Sequence, residues 1–176
     1  IARYVLEKEP KSFREGEFRK VICNDEMVFN GPGVNIPMIS ISRFPYPEYH
    51  TSDDNPSIIS ESRLNDSKNI ILKITNILDS DYTPKIKVKG PIFLSGYGLW
   101  VDWRENEELN LNLEKIMLRL EGKQSIFEIS EELKMKFDVV KEFTDKLFGN
   151  DLIEKLDSNQ WEYPHVSIIQ IVFKES

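Results

Sequence analysis

The sequence is poor in the residues that build disulfides and metal sites. Its 176 residues include one cysteine, Cys23, and two histidines, His50 and His165. A single cysteine cannot form an intramolecular disulfide, and four zinc ligands are hard to assemble from so few sulfur and imidazole groups. We therefore exclude a disulfide-stabilised domain and a self-sufficient zinc finger.

Long apolar runs and a basic charge balance are also missing. The run from Ile168 to Phe173 is interrupted by Gln170 and is far shorter than the roughly 20 residues that span a bilayer. The net charge of −7 opposes nucleic-acid binding. The remaining composition, 40% hydrophobic and 30% charged, is typical of a globular protein, and we expect neither a membrane nor a nucleic-acid partner.

The acidic excess lies entirely in the second half of the chain. Residues before Gly90 include 13 basic and 13 acidic side chains, and those after it include 10 basic and 17 acidic ones. The segment 83–91, rich in Pro and Lys, lies at the same point and is typical of a connection. We therefore predict two domains, at residues 1–82 and 83–176. Residues 2–8 predict a helix with no cap before it, so we expect that the chain begins within a domain.

The first domain is predicted to mix helix and strand. Residues 34–42 are rich in Ile and Val and lead into a proline-containing loop, as a strand does at its end. Between Ser67 and Leu78 the apolar residues recur at helical spacing, with Ser67 as the predicted cap. This order of elements indicates the closing portion of an α/β domain.

The second domain is predicted to be a winged helix-turn-helix. Apolar periodicity indicates helices near residues 113–120, 125–133 and 138–148, the second opened by a Ser125–Glu128 capping box. Residues 152–156 and 161–163 then flank a turn and predict a hairpin. The end of the chain, residues 165–176, is left open between a further strand and a disordered tail.

The charges of the third helix do not favour DNA binding. Its basic residues, Lys141 and Lys146, are outnumbered by acidic ones, so we expect a packing or dimerisation role. The three tryptophans, Trp100, Trp103 and Trp161, are predicted to pack in the core or at a domain interface.

Two polar clusters in the first domain are candidates for chemistry. One is residues 24–29, which include Asp25, and the other is residues 47–55, immediately after the predicted strand. Loops at the carboxyl ends of strands collect ligands in open α/β sheets. Taken alone, His50 is a metal ligand, a general base or a hydrogen-bonded surface residue. Asp53 either caps a turn or accepts a hydrogen bond that orients a metal-bound imidazole.

The second cluster, Tyr-His-Thr-Ser-Asp-Asp-Asn at residues 49–55, resembles the closing motif of zinc aminopeptidases that share a fold with glutaminyl cyclases. The first cluster resembles the Ser-Asp-His-x-x-Phe segment of that superfamily, although Glu26 stands where histidine is usual. The resemblance implies that His50 is a zinc ligand, that Asp25 lies at the substrate pocket and that residues 1–82 close a three-layer zinc-exopeptidase domain. Residues 93–100 and the helices after them resemble the winged helix that a bacterial aminopeptidase-like group appends.

The function implied by this resemblance is hydrolysis of N-terminal peptide bonds by a metal-activated water, with zinc as cofactor and a peptide or small amide as substrate. The resemblance places the other ligands and the catalytic glutamate in segments before Ile1, so we expect this chain alone to be inactive, with no catalytic residue of its own.

Two rival functions remain open. One is a non-enzymatic interaction module with a degenerate metal site that forms a homo-oligomer through the winged helix. The other is a one-zinc activity like that of glutaminyl cyclase. Without a recognisable signal peptide, we expect a cytoplasmic protein.

Overall fold

A computed structural model describes residues 1–10, 13–17, 20, 26–29, 32–34, 36, 38–44, 46–156 and 169–174. Helices and strands are mixed along it, which confirms the predicted α/β class. Two compact units divide the described residues: Ala2–Ile74 with Glu162–Ser176, and Thr75–Trp161 with Ile1. The division predicted between residues 82 and 83 stays a prediction.

The elements follow one another in a mixed order along the chain. The helices are α1 (Ala2–Glu7), α2 (Glu26–Phe29), α3 (Glu61–Ser80), α4 (Glu107–Met117), α5 (Ile126–Leu133) and α6 (Phe137–Gly149). The strands are β1 (Phe13–Glu17), β2 (Ser40–Phe44), β3 (Thr83–Ile86), β4 (Ile153–Leu156) and β5 (Ile169–Lys174).

The first unit contains a three-stranded sheet in the order β1-β5-β2. The last strand of the chain is its centre: β5 runs antiparallel to β1, with Phe173 opposite Phe13, and parallel to β2, with Ile171 opposite Ile41. Of the two alternatives for the end of the chain, the strand is therefore confirmed for residues 169–174. β2 includes Arg43 and Phe44, which we had expected to begin the loop.

The buried apolar side chains that are described in the first unit lie on α1 and α3. Val5 and Leu6 are buried on α1, and Ile70 and Ile74 on α3. The predicted start of α3 at Ser67 is wrong, because the helix begins six residues earlier. The Ser67 hydroxyl lies inside the helix and donates to the Arg63 carbonyl oxygen at 3.0 Å, a bond that satisfies the hydroxyl without ending the helix.

The second unit has a buried apolar core to which α4, α5 and α6 all contribute side chains. The cap of α4 is Asn106, whose side chain accepts from the Leu109 N–H at 2.9 Å. The predicted capping box is confirmed, since the Ser125 side chain accepts from the Glu128 N–H and the Glu128 carboxylate accepts from the Ser125 N–H. Seven core side chains have no exposed surface: Ile116, Leu120, Ile126, Ile129, Val140, Leu147 and Ile153.

The two strands of this unit pair with each other. β3 and β4 are antiparallel, with Ile86 opposite Ile153. The segment that we had interpreted as a connection therefore begins as a strand, because Thr83–Ile86 finds its hydrogen-bonding partner some 70 residues later. The second strand of the predicted hairpin, residues 161–163, lies outside the described residues, and the winged helix stays a prediction.

Candidate functional site

His50 lies in an ordered loop that leaves β2. The strand ends at Phe44, and His50 follows with an exposed side chain and a φ of 61°. Among the described residues, only Lys134 and Asp151 share a positive φ without being glycine. Histidine is one of the residue types enriched in this left-handed region, and such conformations concentrate at functional sites.

Two tyrosine rings pack beside the imidazole. The centroids of the Tyr49 and His50 rings are 3.9 Å apart, with 31° between the ring planes. The centroid of the Tyr46 ring is 5.7 Å from that of Tyr49. The 5.7 Å spacing is typical of attractive ring pairs and the 3.9 Å spacing is closer still, so the imidazole is the end of a row of three rings.

A hydrogen bond joins the first of these rings to the far side of the loop. The Tyr46 hydroxyl donates to the Asp54 carboxylate. This bond, with smaller contributions from burial and from the negative charge of Asp54, raises the pKa of Tyr46 to about 12. A phenol that donates to a carboxylate keeps its proton, so the Tyr46 hydroxyl remains a donor across the physiological pH range.

Local turns hold the residues that follow His50. The Thr51 hydroxyl donates to the Glu48 carbonyl oxygen at 2.7 Å and accepts from the Asp53 N–H at 3.2 Å. Asn55 then caps a short 3-10 turn, Pro56–Ile58, by accepting from the Ser57 N–H at 3.0 Å. Several peptide groups of this exposed loop thus find their partners within the loop.

Only some of the predicted site residues lie in the described part of the chain. Asp25 lies outside the described residues, and so does Cys23. Asp53 is exposed and is joined to the loop through its backbone, including a hydrogen bond from the Asn55 side chain to its carbonyl oxygen at 3.0 Å. Its predicted role in orienting the imidazole of His50 stays a prediction.

A complete metal centre cannot be assembled from the described part of the chain. There, no group of three or more His, Cys, Asp or Glu side chains could hold a metal ion. Zinc takes about four ligands, and an exposed imidazole such as His50 is one of the usual kinds. The described residues therefore fit one ligand position of a zinc site, but not the whole site.

The surface of α6 is arranged in ion pairs. Lys141 pairs with Asp145 and Lys146 pairs with Glu142 at 2.8 Å, each four residues apart on the helix. Lys155 also contacts Asp145, at 2.9 Å. The cations of this helix are therefore balanced by neighbouring carboxylates.

Four aromatic side chains project from the segment before α4. Phe93 is 80% exposed, Trp100 62% and Trp103 58%, and Tyr97 is also exposed. Trp100 and Trp103 are thus not core residues, and an interface role for them stays a prediction. Trp161 lies outside the described residues.

Sequence reasoning missed the Tyr46–Asp54 pair. Neither residue was assigned a role in the loop from the sequence. The available signal was the position of Tyr46 between two prolines of the sequence, Pro45 and Pro47, since proline and the residue before it have few backbone conformations.

No helix in the described part of the chain is long and apolar enough to cross a membrane.

Comparison with known proteins gives a distant relationship. Residues 1–81 match the model of a family described as a domain of unknown function (DUF4910). A Clostridium acetobutylicum protein named a polysaccharide biosynthesis protein with aminopeptidase-like domain is 25% identical over 142 residues, which cover 74% of this chain and 32% of the relative. The chain thus spans about a third of the length of the curated relative that it matches. No solved structure matches it.

These findings support the resemblance at a coarse level. The chain is distantly related to a protein that carries an aminopeptidase-like domain.

Proposed function

We propose that this chain is the C-terminal portion of a zinc-dependent aminopeptidase, which hydrolyses N-terminal peptide bonds of a peptide or small amide. The observation that carries the proposal is the exposed His50 imidazole, held against Tyr49 at a positive φ in the loop that leaves β2. The distant relative with an aminopeptidase-like domain supports it.

The residues of this chain would bind and orient rather than react. His50 would supply one nitrogen to the metal, Asp53 would accept a hydrogen bond that fixes the imidazole, and Asp25 would hold the free amine of the substrate. A bound zinc ion would supply Lewis acidity and an activated water. Because the described residues provide one ligand position, we expect the chain by itself to be inactive.

Zinc content and peptidase activity of the longest natural form test this function. We expect two bound zinc ions and hydrolysis of amino-acid p-nitroanilides, with both reduced in His50→Ala. The matched control is His165→Ala, which removes the only other histidine. A natural form that binds no zinc, or a His50→Ala variant that keeps full zinc and activity, would contradict the proposal. One bound zinc ion with cyclisation activity would indicate the glutaminyl-cyclase alternative.

A non-enzymatic interaction module is the second candidate. It is favoured by the buried core of the second unit and by the exposed rings of Phe93, Trp100 and Trp103, since aromatic residues are enriched at contact surfaces. The three helices with the β3–β4 pair would form a winged helix that mediates self-association. The balanced charges of α6 do not favour nucleic acid.

Light scattering on the purified chain tests this second candidate. A dimer that becomes monomeric in Trp100→Ser/Trp103→Ser, in a protein free of zinc, would support the module. A monomer at all concentrations would contradict self-association. We further propose a cytoplasmic location, which fractionation of cells would check.

A further inference from the structure

The loop around His50 is closed by one side-chain hydrogen bond. Tyr46 and Asp54 lie four residues before and four residues after the histidine, and the Tyr46 hydroxyl donates to the Asp54 carboxylate. We propose that Tyr46 and Asp54 are positioning residues that close the loop and, through the ring of Tyr49, fix the direction of the His50 imidazole. The use of that imidazole as a metal ligand rests on the proposed function.

The loop needs such a constraint because it is exposed. Tyr46, Tyr49 and His50 all have more than a third of their surface open to solvent, so burial contributes little to their order. A hydrogen bond between a phenol and an ionised carboxylate is stronger than one between neutral groups. Joining residues 46 and 54 removes much of the conformational freedom of the segment between them.

The constraint reaches His50 through ring contacts. Tyr46 packs on Tyr49 at 5.7 Å, and Tyr49 packs on His50 at 3.9 Å. The positive φ of His50 is a conformation that persists only when its surroundings hold it. If the Tyr46–Asp54 bond is lost, we therefore expect the stack to loosen and the imidazole to sample other directions.

The neighbouring carboxylate provides a sharp comparison. Asp53 contacts the loop through its backbone N–H and carbonyl oxygen, whereas Asp54 accepts the Tyr46 hydroxyl through its side chain. Replacing the carboxylate by an amide therefore changes the acceptor of the Tyr46 hydroxyl at position 54 but not at position 53. Asp54→Asn should weaken the closure, and Asp53→Asn should leave it intact.

Proton NMR of the chain tests the closure without any metal. The sequence contains two histidines, so the imidazole signals are few, and His50→Asn identifies those of His50. We expect these signals to be shifted upfield by the Tyr49 ring in the wild-type chain. Tyr46→Phe and Asp54→Asn should each lose most of this shift. Tyr97→Phe, which removes a hydroxyl from another exposed tyrosine, should keep it.

A Co²⁺ titration of the same samples separates the closure from the proposed function. We expect Co²⁺ to broaden the His50 signals more than those of His165, and Tyr46→Phe to need several-fold more Co²⁺ for the same broadening. Unchanged His50 shifts in both Tyr46→Phe and Asp54→Asn would overturn the closure, and lost shifts with unchanged Co²⁺ response would overturn its positioning role. If Co²⁺ has no preference for wild-type His50, the positioning role fails, whereas the zinc-ligand proposal is decided separately by the zinc content of the longest natural form.

Discussion

The contact between Tyr82 and α6 allows one prediction to be worked out in detail. Tyr82 is 8% exposed and precedes β3, and its hydroxyl donates to an Asp145 carboxylate oxygen at 2.9 Å. Tyr82→Phe removes this hydroxyl and keeps the ring, against which the Lys155 ammonium lies at 4.1 Å from the centroid. The perturbation is therefore confined to the hydroxyl, which interacts with the Thr144 side chain as well as with Asp145.

The magnitude follows from the exposure of the acceptor. Hydrogen bonds to charged groups contribute roughly 1.5–3 kcal/mol when buried. About a third of the Asp145 side chain is open to solvent, and solvent weakens its interactions. We therefore expect Tyr82→Phe to lower the free energy of unfolding by about 1 kcal/mol.

A double-mutant cycle isolates this bond from its surroundings. Asp145→Asn also weakens the pairs with Lys141 and Lys155, so we expect it to cost more, about 1–2 kcal/mol after allowance for solvent screening. The variant with both changes should cost less than the sum of the two single variants. The expected coupling is about 0.5–1 kcal/mol, as for groups in direct contact.

Urea unfolding followed by tryptophan fluorescence provides the measurement. Trp100 and Trp103 lie in the unit Thr75–Trp161, so their emission reports on this unit. Tyr97→Phe is the control, because this exposed tyrosine should change the stability by less than about 0.5 kcal/mol. Additive effects of Tyr82→Phe and Asp145→Asn would refute the reasoning, as would a Tyr82→Phe variant as stable as the control.

Three further predictions concern the same unit. Burial raises the pKa of Asp145, but hydrogen bonds from its three partners outweigh this effect and the net pKa is lowered. The ionised Asp145 carboxylate thus stabilises the folded state above its unfolded pKa of about 3.9, and this stabilisation is lost as the pH falls through the folded pKa. The unfolding midpoints of Asp145→Asn should therefore depend less on acid pH than those of the wild type. Burial raises the pKa of Asp81, opposed chiefly by the Phe127 N–H that its carboxylate accepts at 2.9 Å. The free energy of unfolding should therefore fall as the pH rises from the unfolded to the folded pKa of Asp81. In urea unfolding at pH 7, Asp81→Asn should be no less stable than the wild type, and Asp81→Ala should lower the free energy of unfolding by about 1 kcal/mol. In thermal melting, Gly122→Ala should be more destabilising than Gly98→Ala. Both glycines have a positive φ, which costs a residue with a side chain about 1–2 kcal/mol, but of the two only Gly122 would place the added Cβ 3.0 Å from Leu156 Cδ1.

Local sequence patterns determined the helices of the second unit. The Ser125–Glu128 capping box and the apolar periodicity of α5 and α6 predicted both helices to within a residue or two at each end. These signals succeed because a helix closes its hydrogen bonds within a few residues. The position of His50 in a loop after a strand was also predicted, although the strand covers Ser40–Phe44 and not residues 34–42.

Tertiary structure decided which distant segments meet. β5 pairs with β1 and β2 across more than 120 residues, and β3, which we had interpreted as a connection, pairs with β4. A strand takes its hydrogen bonds from another segment, so its own residues do not specify its partner. The Tyr46–Asp54 bond escaped prediction for the same reason. Which of two adjacent carboxylates meets a tyrosine eight residues earlier depends on the path of the loop, and only the folded chain fixes that path.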